Sequence, residues 1–458
     1  MRDAKLEAVA PKPEDAQALE RLWNLSHETG DHGAAIEALG RAIAADGAIA
    51  RHHYMLGCTL QDAGRMQEAA EAYRRALALD AGLARAQNNL GCLLEAAGDG
   101  EGAMQCYEAA LRAEPGLANA LYNRGNMRKQ RGEAVQAESD IRRALVLEPQ
   151  RADWRCVLGE VCVVLWKLDH AAASYRAVLE VDRDDVRARF GLGNVLVLMG
   201  CADEAEVCFR GILEEQPDVI AARSNLLLCL HYRKGDHGRA LYEEHLAWAS
   251  LHARGLASAG DNAGIDRNPA KRLNIGYVSP NFHAHPVATF LEPALAARGR
   301  DGFRVFCYSD VAHPDEVTRR LMGLCDVWRD IHGLSHDEAA RLIRQDRIDI
   351  LVDLAGHTGG GRLLLFARRP APVQVTWLGY PNTTGLAEVD YRITDADADP
   401  EGATDAQHTE KLVRLDCGFL CYEPHSDSPP VAEPPVLESG EVTFGCFKIG
   451  RASCRERV

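Results

Sequence analysis

The amino-acid sequence predicts an α-helical repeat array followed by an α/β domain with a parallel sheet. A 34-residue period runs through the first half of the chain, and short apolar runs alternate with helix-compatible stretches from about residue 271. The residues between the two patterns, 254–270, are small and polar, as is typical of a linker.

The composition is that of an ordinary folded protein. Of the 458 residues, 47% are hydrophobic and 26% are charged, and no apolar run approaches the ~18 residues of a membrane-spanning helix. The net charge of −15 disfavours nonspecific nucleic-acid binding, which needs a basic face. The fourteen cysteines show no CxxC spacing, which favours reduced thiols in a cytoplasmic protein over disulfides or a zinc site.

Small and large residues at fixed positions define the 34-residue period. Five glycines recur at this interval, an alanine follows each by twelve positions, and a large residue follows each alanine by four. The small residues let two helices approach, and the large residue fills the gap beside them. The positions are Gly57, Gly91, Gly125, Gly159 and Gly193, then Ala69, Ala103, Ala137, Ala171 and Ala205, then Tyr73, Tyr107, Ile141, Tyr175 and Phe209.

These offsets resemble the tetratricopeptide repeat, a unit of two helices. We expect about seven units within residues 16–253, of which the first, at about 16–49, is weak. The last unit has Leu227 at the glycine position, which is typical of a cap that ends an array. The other units are expected to begin near Ala50, Ala84, Ala118, Ala152, Val186 and Ile220.

Asparagines recur on the first helices of the units. Asn89, Asn123 and Asn225 share one position, and Asn126 and Asn194 share the position three residues later. Amides at a regular spacing could hold an extended peptide by its backbone on the concave face of the array. The alternative is that they are solvated polar residues on exposed helix faces, and the sequence leaves both interpretations open.

Apolar runs predict the strands of the second domain. These runs alternate with helix-compatible stretches at about 287–299, 314–324, 335–346 and 361–368. Such alternation predicts a parallel sheet covered on both faces, which binds ligands outside the carboxyl ends of its strands. The predicted strands are Leu273–Ser279, Arg304–Ser309, Ile348–Ala355 and Val373–Gly379.

Three polar loops follow predicted strands and should meet at this edge. The first loop ends at His285, between a strand and a helix, where a histidine could act as a base or bind phosphate; a plain surface histidine is the alternative. The second is the glycine-rich turn at 356–361, which permits close approach of an anion to a helix start. The third is the segment from Gly379 to Gly385. The acidic run Asp395–Asp399 lacks the spacing of a metal site.

Three segments carry a family resemblance, in this order: LNIGYVSPNFHAHPVATFLEP, IDILVDLAGHTGGGRLLLFARRPAPVQVTWLGYPNTTG and VDYRITDADADP…HTEKLVRL. They closely resemble the catalytic region of the O-linked N-acetylglucosamine transferases of glycosyltransferase family 41, a family that includes bacterial relatives and the plant SPINDLY-type fucosyltransferases. Its members join tetratricopeptide repeats to a two-lobed GT-B enzyme. The resemblance covers about residues 16–447 and implies a Rossmann-like first lobe at 271–447.

The resemblance implies transfer of a sugar, typically N-acetylglucosamine from UDP, onto Ser or Thr hydroxyls of proteins held by the repeats. The reaction inverts the anomeric carbon and needs no metal or other cofactor. His285 and His357 are implied as catalytic, with His285 as base or as a contact near the donor phosphates. The residues implied to line the donor and acceptor cleft are Pro286, Gly356, Thr358, Gly379, Tyr380, Pro381 and Thr383.

Two positions depart from the pattern of the family. Asn382 stands where relatives usually have glycine, and Asn281 where an acidic residue commonly follows the Ser-Pro pair. The backbone at Asn382 is therefore expected to differ. The donor sugar and the acceptor also stay open. The main alternative function is a protein-interaction scaffold of repeats with a non-catalytic appendage, but the three loops favour an enzyme.

The length of the α/β segment suffices for one lobe of a two-lobed enzyme. In this family the second lobe holds most nucleotide contacts, including a lysine, so we expect the chain as given not to transfer sugar detectably. Residues 448–458 carry four basic residues against one acidic residue and no hydrophobic period. We expect this segment to be a non-native tail.

Overall fold

The computed structural model describes residues 21, 23–24, 30–233, 238–257, 268, 271–299 and 302–424. Most of the predicted linker and all of the predicted tail lie outside these residues. The chain divides into two compact units, Met1–Gly191 and Leu192–Val458. No helix within the described ranges is long and apolar enough to span a membrane.

The first half of the described chain is helical, as predicted. The second and every following unit begins at the residue that the period indicates. In chain order the helices are α1 (Gly33–Ala45), α2 (Ala50–Asp62), α3 (Met66–Leu79), α4 (Ala84–Ala96), α5 (Gly100–Ala113), α6 (Ala118–Gln130), α7 (Ala134–Leu147), α8 (Ala152–Val164), α9 (Leu168–Leu179), α10 (Val186–Met199), α11 (Ala202–Glu215), α12 (Ile220–Leu230) and α13 (Gly238–His252).

Contacts between glycine and aromatic residues explain the period. A Cβ added to Gly57 would lie 2.6 Å from the ring of Tyr73, and one added to Gly159 would lie 2.6 Å from the ring of Tyr175. Tyr73 and Tyr175 are both buried. The glycine position is therefore the space into which the large side chain of the second helix packs, an aromatic ring in four units and Ile141 opposite Gly125.

The second unit contains a seven-stranded parallel sheet with the strand order β3-β2-β1-β4-β5-β6-β7. Its strands are β1 (Leu273–Ser279), β2 (Phe303–Ser309), β3 (Val327–Asp330), β4 (Ile350–Asp353), β5 (Val373–Thr376), β6 (Tyr391–Asp395) and β7 (Lys411–Leu415). Its helices are α14 (Pro286–Ala297), α15 (Glu316–Leu324), α16 (His336–Gln345) and α17 (Leu363–Phe366). The order reverses between β1 and β4, which makes that point the topological switch point of a Rossmann-like sheet.

Two predicted strands end earlier than expected. β4 ends at Asp353 because the carboxylate of Asp353 accepts hydrogen bonds from the backbone N–H groups of Ala355 and Gly356, at 3.1 and 2.9 Å, and turns the chain. β5 ends at Thr376, and Gly379 then passes so near the previous loop that a Cβ there would lie 1.9 Å from the carbonyl oxygen of Leu354. Both turns build the loops that the sequence singled out.

The last helix pair does not end the array as a free cap. His245 and Trp248, on α13, are 0% and 2% exposed, and they pack against Tyr380 and His357 in the loops after β5 and β4. The residues that replace the repeat pattern in this pair form an aromatic contact with the sheet domain instead of a polar end face.

Candidate functional site

The loops after β1 and β4 meet at the switch point of the sheet. The backbone N–H of Leu354 donates to the carbonyl of Val278 at 3.2 Å, at the ends of the two strands. Further out, a Cβ on Gly360 would lie 2.9 Å from Cβ of Pro280. The predicted histidine loop and the predicted glycine-rich turn are therefore neighbours, where a sheet of this order binds ligands.

His285 is the N-cap of α14. Its Nδ1 accepts a hydrogen bond from the backbone N–H of Val287 at 3.2 Å, and Pro286 occupies the exposed first position of the helix. Burial, with a smaller effect of His283, lowers the pKa of His285. Because Nδ1 accepts, the neutral ring carries its proton on Nε2, and this N–H can donate to an oxygen at the helix start.

A carboxylate fixes the loop that carries His285. The backbone N–H of Ala284 donates to Oδ2 of Asp315 at 2.7 Å, and Asp315 caps α15 by accepting from the N–H of Thr318. These two backbone hydrogen bonds lower the pKa of Asp315 to about 2. Asp315 is thus ionised at neutral pH and ties the β1 loop to a neighbouring helix.

His357 is 3% exposed and lies in the turn after β4. Its Nε2 is 2.8 Å from the carbonyl oxygen of Thr384, whereas its Nδ1 is buried and has no hydrogen-bond partner among the described residues. Burial lowers the pKa of His357 to about 4. A carbonyl only accepts, so the neutral ring must carry its proton on Nε2, and Nδ1 keeps a free lone pair.

His357 lines a small cavity of about 110 Å³. Ser224 and Trp248 from the last helix pair contribute one wall, and Gly356, Thr358 and Gly361 from the turn contribute another. The hydroxyl of Thr358 donates to the carbonyl of Ala355 at 2.7 Å, which holds the turn closed. The cavity therefore lies between the helical layer and the carboxyl edge of the sheet.

Tyr380 joins the loop after β5 to the helices. Its hydroxyl lies 2.9 Å from Nε2 of His245 and 3.0 Å from Nε2 of His231. Nδ1 of His245 donates to the carbonyl of Leu241, so its Nε2 accepts from the phenol, and the phenol oxygen accepts from His231. Burial lowers the pKa of His231 to about 4 and raises that of Tyr380. Tyr380 is thus fully engaged in packing.

Glycine is required next to this tyrosine. Gly356 has a φ of 56°, and a Cβ there would lie 2.3 Å from Cβ of Tyr380. The structure therefore brings Gly356, His357 and Tyr380 into one buried cluster. Pro381, which follows Tyr380, is exposed.

Glu410 holds the rest of this loop. Its carboxylate is buried, and the sequence predicts no role for it. The hydroxyl of Thr383 donates to Oε2 of Glu410 at 2.6 Å, and the backbone N–H of Thr384 donates to Oε1 at 2.7 Å. Asn382 does not adopt a positive φ, and its side chain accepts from the N–H of Thr383. Asparagine therefore fits this position without backbone strain. The HTEKLVRL segment contains Glu410, but its spacing gives no sign of this contact.

The repeated asparagines already bond within the helical array. The Nδ2 groups of Asn89, Asn123 and Asn225 donate to the Tyr73 hydroxyl, to Asn88 and to Asn194, at 3.2, 2.9 and 2.7 Å. Asn126 is half-buried. In the first unit, residues of α2, α4 and α6, among them Tyr54, Arg85 and Asn89, line a cavity of about 380 Å³.

The sequence matches two families of known proteins. Residues 260–428 match Glycosyl transferase family 41. Residues 27–84, 54–118, 88–153 and 167–219 match the Tetratricopeptide repeat. Residues 27–219 are therefore similar to tetratricopeptide repeats and residues 260–428 to family 41 glycosyltransferases, and the resemblance seen in the motifs is confirmed.

Individual relatives agree with this assignment. The chain is 43% identical over 227 residues to the probable UDP-N-acetylglucosamine–peptide N-acetylglucosaminyltransferase SPINDLY of Petunia hybrida. The aligned region covers 49% of this chain and 24% of that protein. Its identity to the Arabidopsis thaliana protein of the same name is 42% over 231 residues, 49% of this chain and 25% of that protein. The chain thus spans about a quarter of the length of these relatives.

A solved structure also resembles the chain. A point mutant of the Thermobaculum terrenum O-GlcNAc transferase aligns with a TM-score of 0.57 at 34% identity, over 77% of this chain and 61% of that one. The predicted fold class, helical repeats followed by a Rossmann-like sheet, is confirmed.

Proposed function

We propose that this chain supplies the repeat array and the first lobe of a GT-B protein O-glycosyltransferase of the cytoplasm. The enzyme transfers N-acetylglucosamine from its UDP donor to Ser or Thr hydroxyls, with inversion and without a metal. One observation carries the proposal: two histidine-bearing loops adjoin at the switch point of the sheet, in a segment that matches family 41. None of the twelve described cysteines forms a disulfide, which fits a reducing compartment.

The reaction sets two demands on the site. The acceptor hydroxyl oxygen forms a bond to the anomeric carbon, while the bond from that carbon to the donor phosphate breaks. The hydroxyl must lose its proton to a base, and the departing diphosphate needs hydrogen-bond donors for its growing negative charge. A site with one free acceptor and one free donor meets both demands.

The two histidines differ in which ring atom is free. Nδ1 of His357 keeps a lone pair, so we assign it the role of accepting the hydroxyl proton. Nε2–H of His285 is free to donate, so we assign it to the diphosphate at the start of α14. A bound diphosphate would also raise the low pKa of His357 through its negative charge and so make the ring a better base.

The repeats are proposed to recruit the acceptor protein. The cavity of about 380 Å³ in the first unit is lined by the cation of Arg85, the carboxylate of Glu148 and the amides of Asn88 and Asn89. Charges of both signs beside amides suit an extended polar peptide. The asparagine Nδ2 groups already donate hydrogen bonds within the array. In this proposal a bound peptide shares or replaces these hydrogen bonds.

The test uses the complete product of the gene that encodes this chain. The protein is incubated with radiolabelled UDP-N-acetylglucosamine and a library of Ser- and Thr-containing peptides, with GDP-fucose as the competing donor. We expect label on peptides that alkaline β-elimination removes. Absence of transfer from any nucleotide sugar, with peptides still retained by the repeats, would favour the scaffold alternative. Transfer from GDP-fucose alone would correct the sugar.

A further inference from the structure

Glu410 is a carboxylate buried against the loop that follows β5. It is 4% exposed, and within the described residues it forms no ion pair. Instead it accepts hydrogen bonds from the hydroxyls of Thr383 and Thr384 and from the backbone N–H of Thr384. Burying a carboxylate in this way costs free energy that only well-formed hydrogen bonds offset. Such a group holds its donors in one arrangement.

Hydrogen bonds through Thr384 connect Glu410 to the ring of His357. Oε1 of Glu410 holds both the N–H and the hydroxyl of Thr384, which fixes the orientation of that residue. The carbonyl of Thr384 then accepts from Nε2 of His357 at 2.8 Å. One buried carboxylate is thus connected, through a single residue, to the ring nitrogen that decides where the imidazole proton sits.

We propose that Glu410 is a positioning residue for His357: through Thr384 it holds the imidazole proton on Nε2 and keeps Nδ1 free as a proton acceptor. The inference rests on the proposed role of His357 in the transfer reaction. Without the carboxylate, the Thr384 peptide could rotate, and the proton could move to Nδ1. The ring would then present a donor where the reaction needs an acceptor.

Thr383 holds the same peptide group from its other side. Oε2 of Glu410 accepts from the hydroxyl of Thr383, whose oxygen in turn accepts from the N–H groups of Gly385 and Thr409. The Gly385 N–H and the Thr384 carbonyl belong to one planar peptide, so this contact also orients the carbonyl that His357 binds. Thr383→Val should therefore also reduce the excess of the Nε2–H form.

The experiment measures the tautomer of His357 directly in the 458-residue chain. Histidine is labelled with ¹⁵N, the two ring nitrogens are distinguished by their long-range couplings to ring protons, and His357→Gln identifies the signals. In the wild type we expect the Nε2–H form to predominate at neutral pH by roughly tenfold, as one hydrogen bond allows. In Glu410→Ala we expect comparable populations of the two forms.

Three further variants complete the test. Glu410→Gln keeps an oxygen for the Thr384 N–H and should retain most of the wild-type ratio. Asp390→Ala is the matched control: Asp390 accepts from the N–H of Gln374 near the opposite end of β5, so its loss should leave the ratio unchanged. If Glu410→Ala does not fold, Glu410→Asp decides, since its shorter side chain withdraws the carboxylate from Thr384 and should also reduce the ratio.

An unchanged ratio in a folded Glu410→Ala protein, or in Glu410→Asp where the alanine variant fails to fold, would overturn the proposal. The measurement needs neither donor nor acceptor. The tautomer result would therefore stand even if the proposed transferase function failed. Conversely, an unchanged tautomer ratio would overturn the role of Glu410 without contradicting the transferase function.

Discussion

At the scale of single residues, the two site histidines carry the proton on the same atom but leave different atoms free. His285 uses Nδ1 to cap a helix and keeps its Nε2–H as a free donor. His357 uses Nε2–H to bind a carbonyl and keeps Nδ1 as a free acceptor. The surroundings lower the pKa of both rings, so the pKa does not distinguish their roles. The difference lies in which ring nitrogen is already hydrogen-bonded.

The first prediction separates the two uses of His285. His285→Ala removes the cap and the donor, so we expect a loss of about 1 kcal/mol of stability and a fall in transfer rate of roughly 10²–10³. His285→Asn restores the cap but not the Nε2 donor. Initial rates and thermal unfolding of both variants test this: an asparagine variant that transfers at the wild-type rate would show that the donor is not used.

The second prediction concerns Asp353, whose burial raises its pKa to about 6. An unfolded aspartate has a pKa of ~3.9, so between these values the folded state binds more protons than the unfolded state. The contribution of Asp353 to stability is therefore greatest below about pH 4 and falls as the pH rises to about 6, by on the order of 3 kcal/mol. Unfolding of the wild type is compared with that of Asp353→Asn, which cannot titrate at this position. A stability difference that does not change with pH would refute the shift.

At the scale of helices and strands, the sequence predicts the elements that follow a regular packing pattern but not those that depend on irregular contacts. The repeat helices begin where the period predicts because, in five units, a glycine and a large side chain pack together and fix the spacing of the helices. Strands β3, β6 and β7 were not predicted. β3 has only two apolar residues, Val327 and Trp328, and in β6 and β7 exposure alternates, so these strands lack a continuous apolar run.

The residues of the candidate site could be predicted from the sequence only in part, because some of them meet through irregular contacts. The loops with His285, His357 and Tyr380 follow strands, and parallel topology brings such loops to one edge. His231 and His245 belong to the helical part of the sequence, 149 and 135 residues before Tyr380. Nothing in their local pattern indicates that they bind its hydroxyl, because that contact depends on how the last helix pair packs.

The third prediction tests the packing between helices. Gly159→Ala would place a Cβ 2.6 Å from the ring of Tyr175, so we expect a loss of roughly 1–3 kcal/mol. Gly40→Ala is the matched control, since nothing lies within 4 Å of a Cβ at this helical position. It should stabilise α1 by roughly 0.5–1 kcal/mol. Denaturant unfolding distinguishes them, and equal effects would contradict the proposed basis of the period.

The fourth prediction tests the contact between the last helix pair and the loop after β5. Tyr380→Phe removes the hydroxyl and leaves the buried nitrogens of His231 and His245 without that partner, at a cost of roughly 1–3 kcal/mol. Tyr422→Phe is the control, because Tyr422 is 63% exposed. If thermal unfolding of the two variants is the same, the hydroxyl does not join these elements.

At the scale of the whole molecule, the chain combines helical repeats with a sheet domain that matches a glycosyltransferase family. In the proposed function the repeats select the acceptor, and the loops at the sheet edge handle the proton and the leaving group. The last helix pair contacts these loops, since Trp248 on α13 packs against the ring of His357.

The most direct test of this account is the initial rate of sugar transfer by the complete gene product with His357→Ala. We expect the rate to fall by roughly 10²–10⁴, as loss of a general base predicts, while peptide binding to the first repeats stays unchanged. A folded His357→Ala protein that transfers sugar at the wild-type rate would contradict the central claim that this ring accepts the acceptor proton.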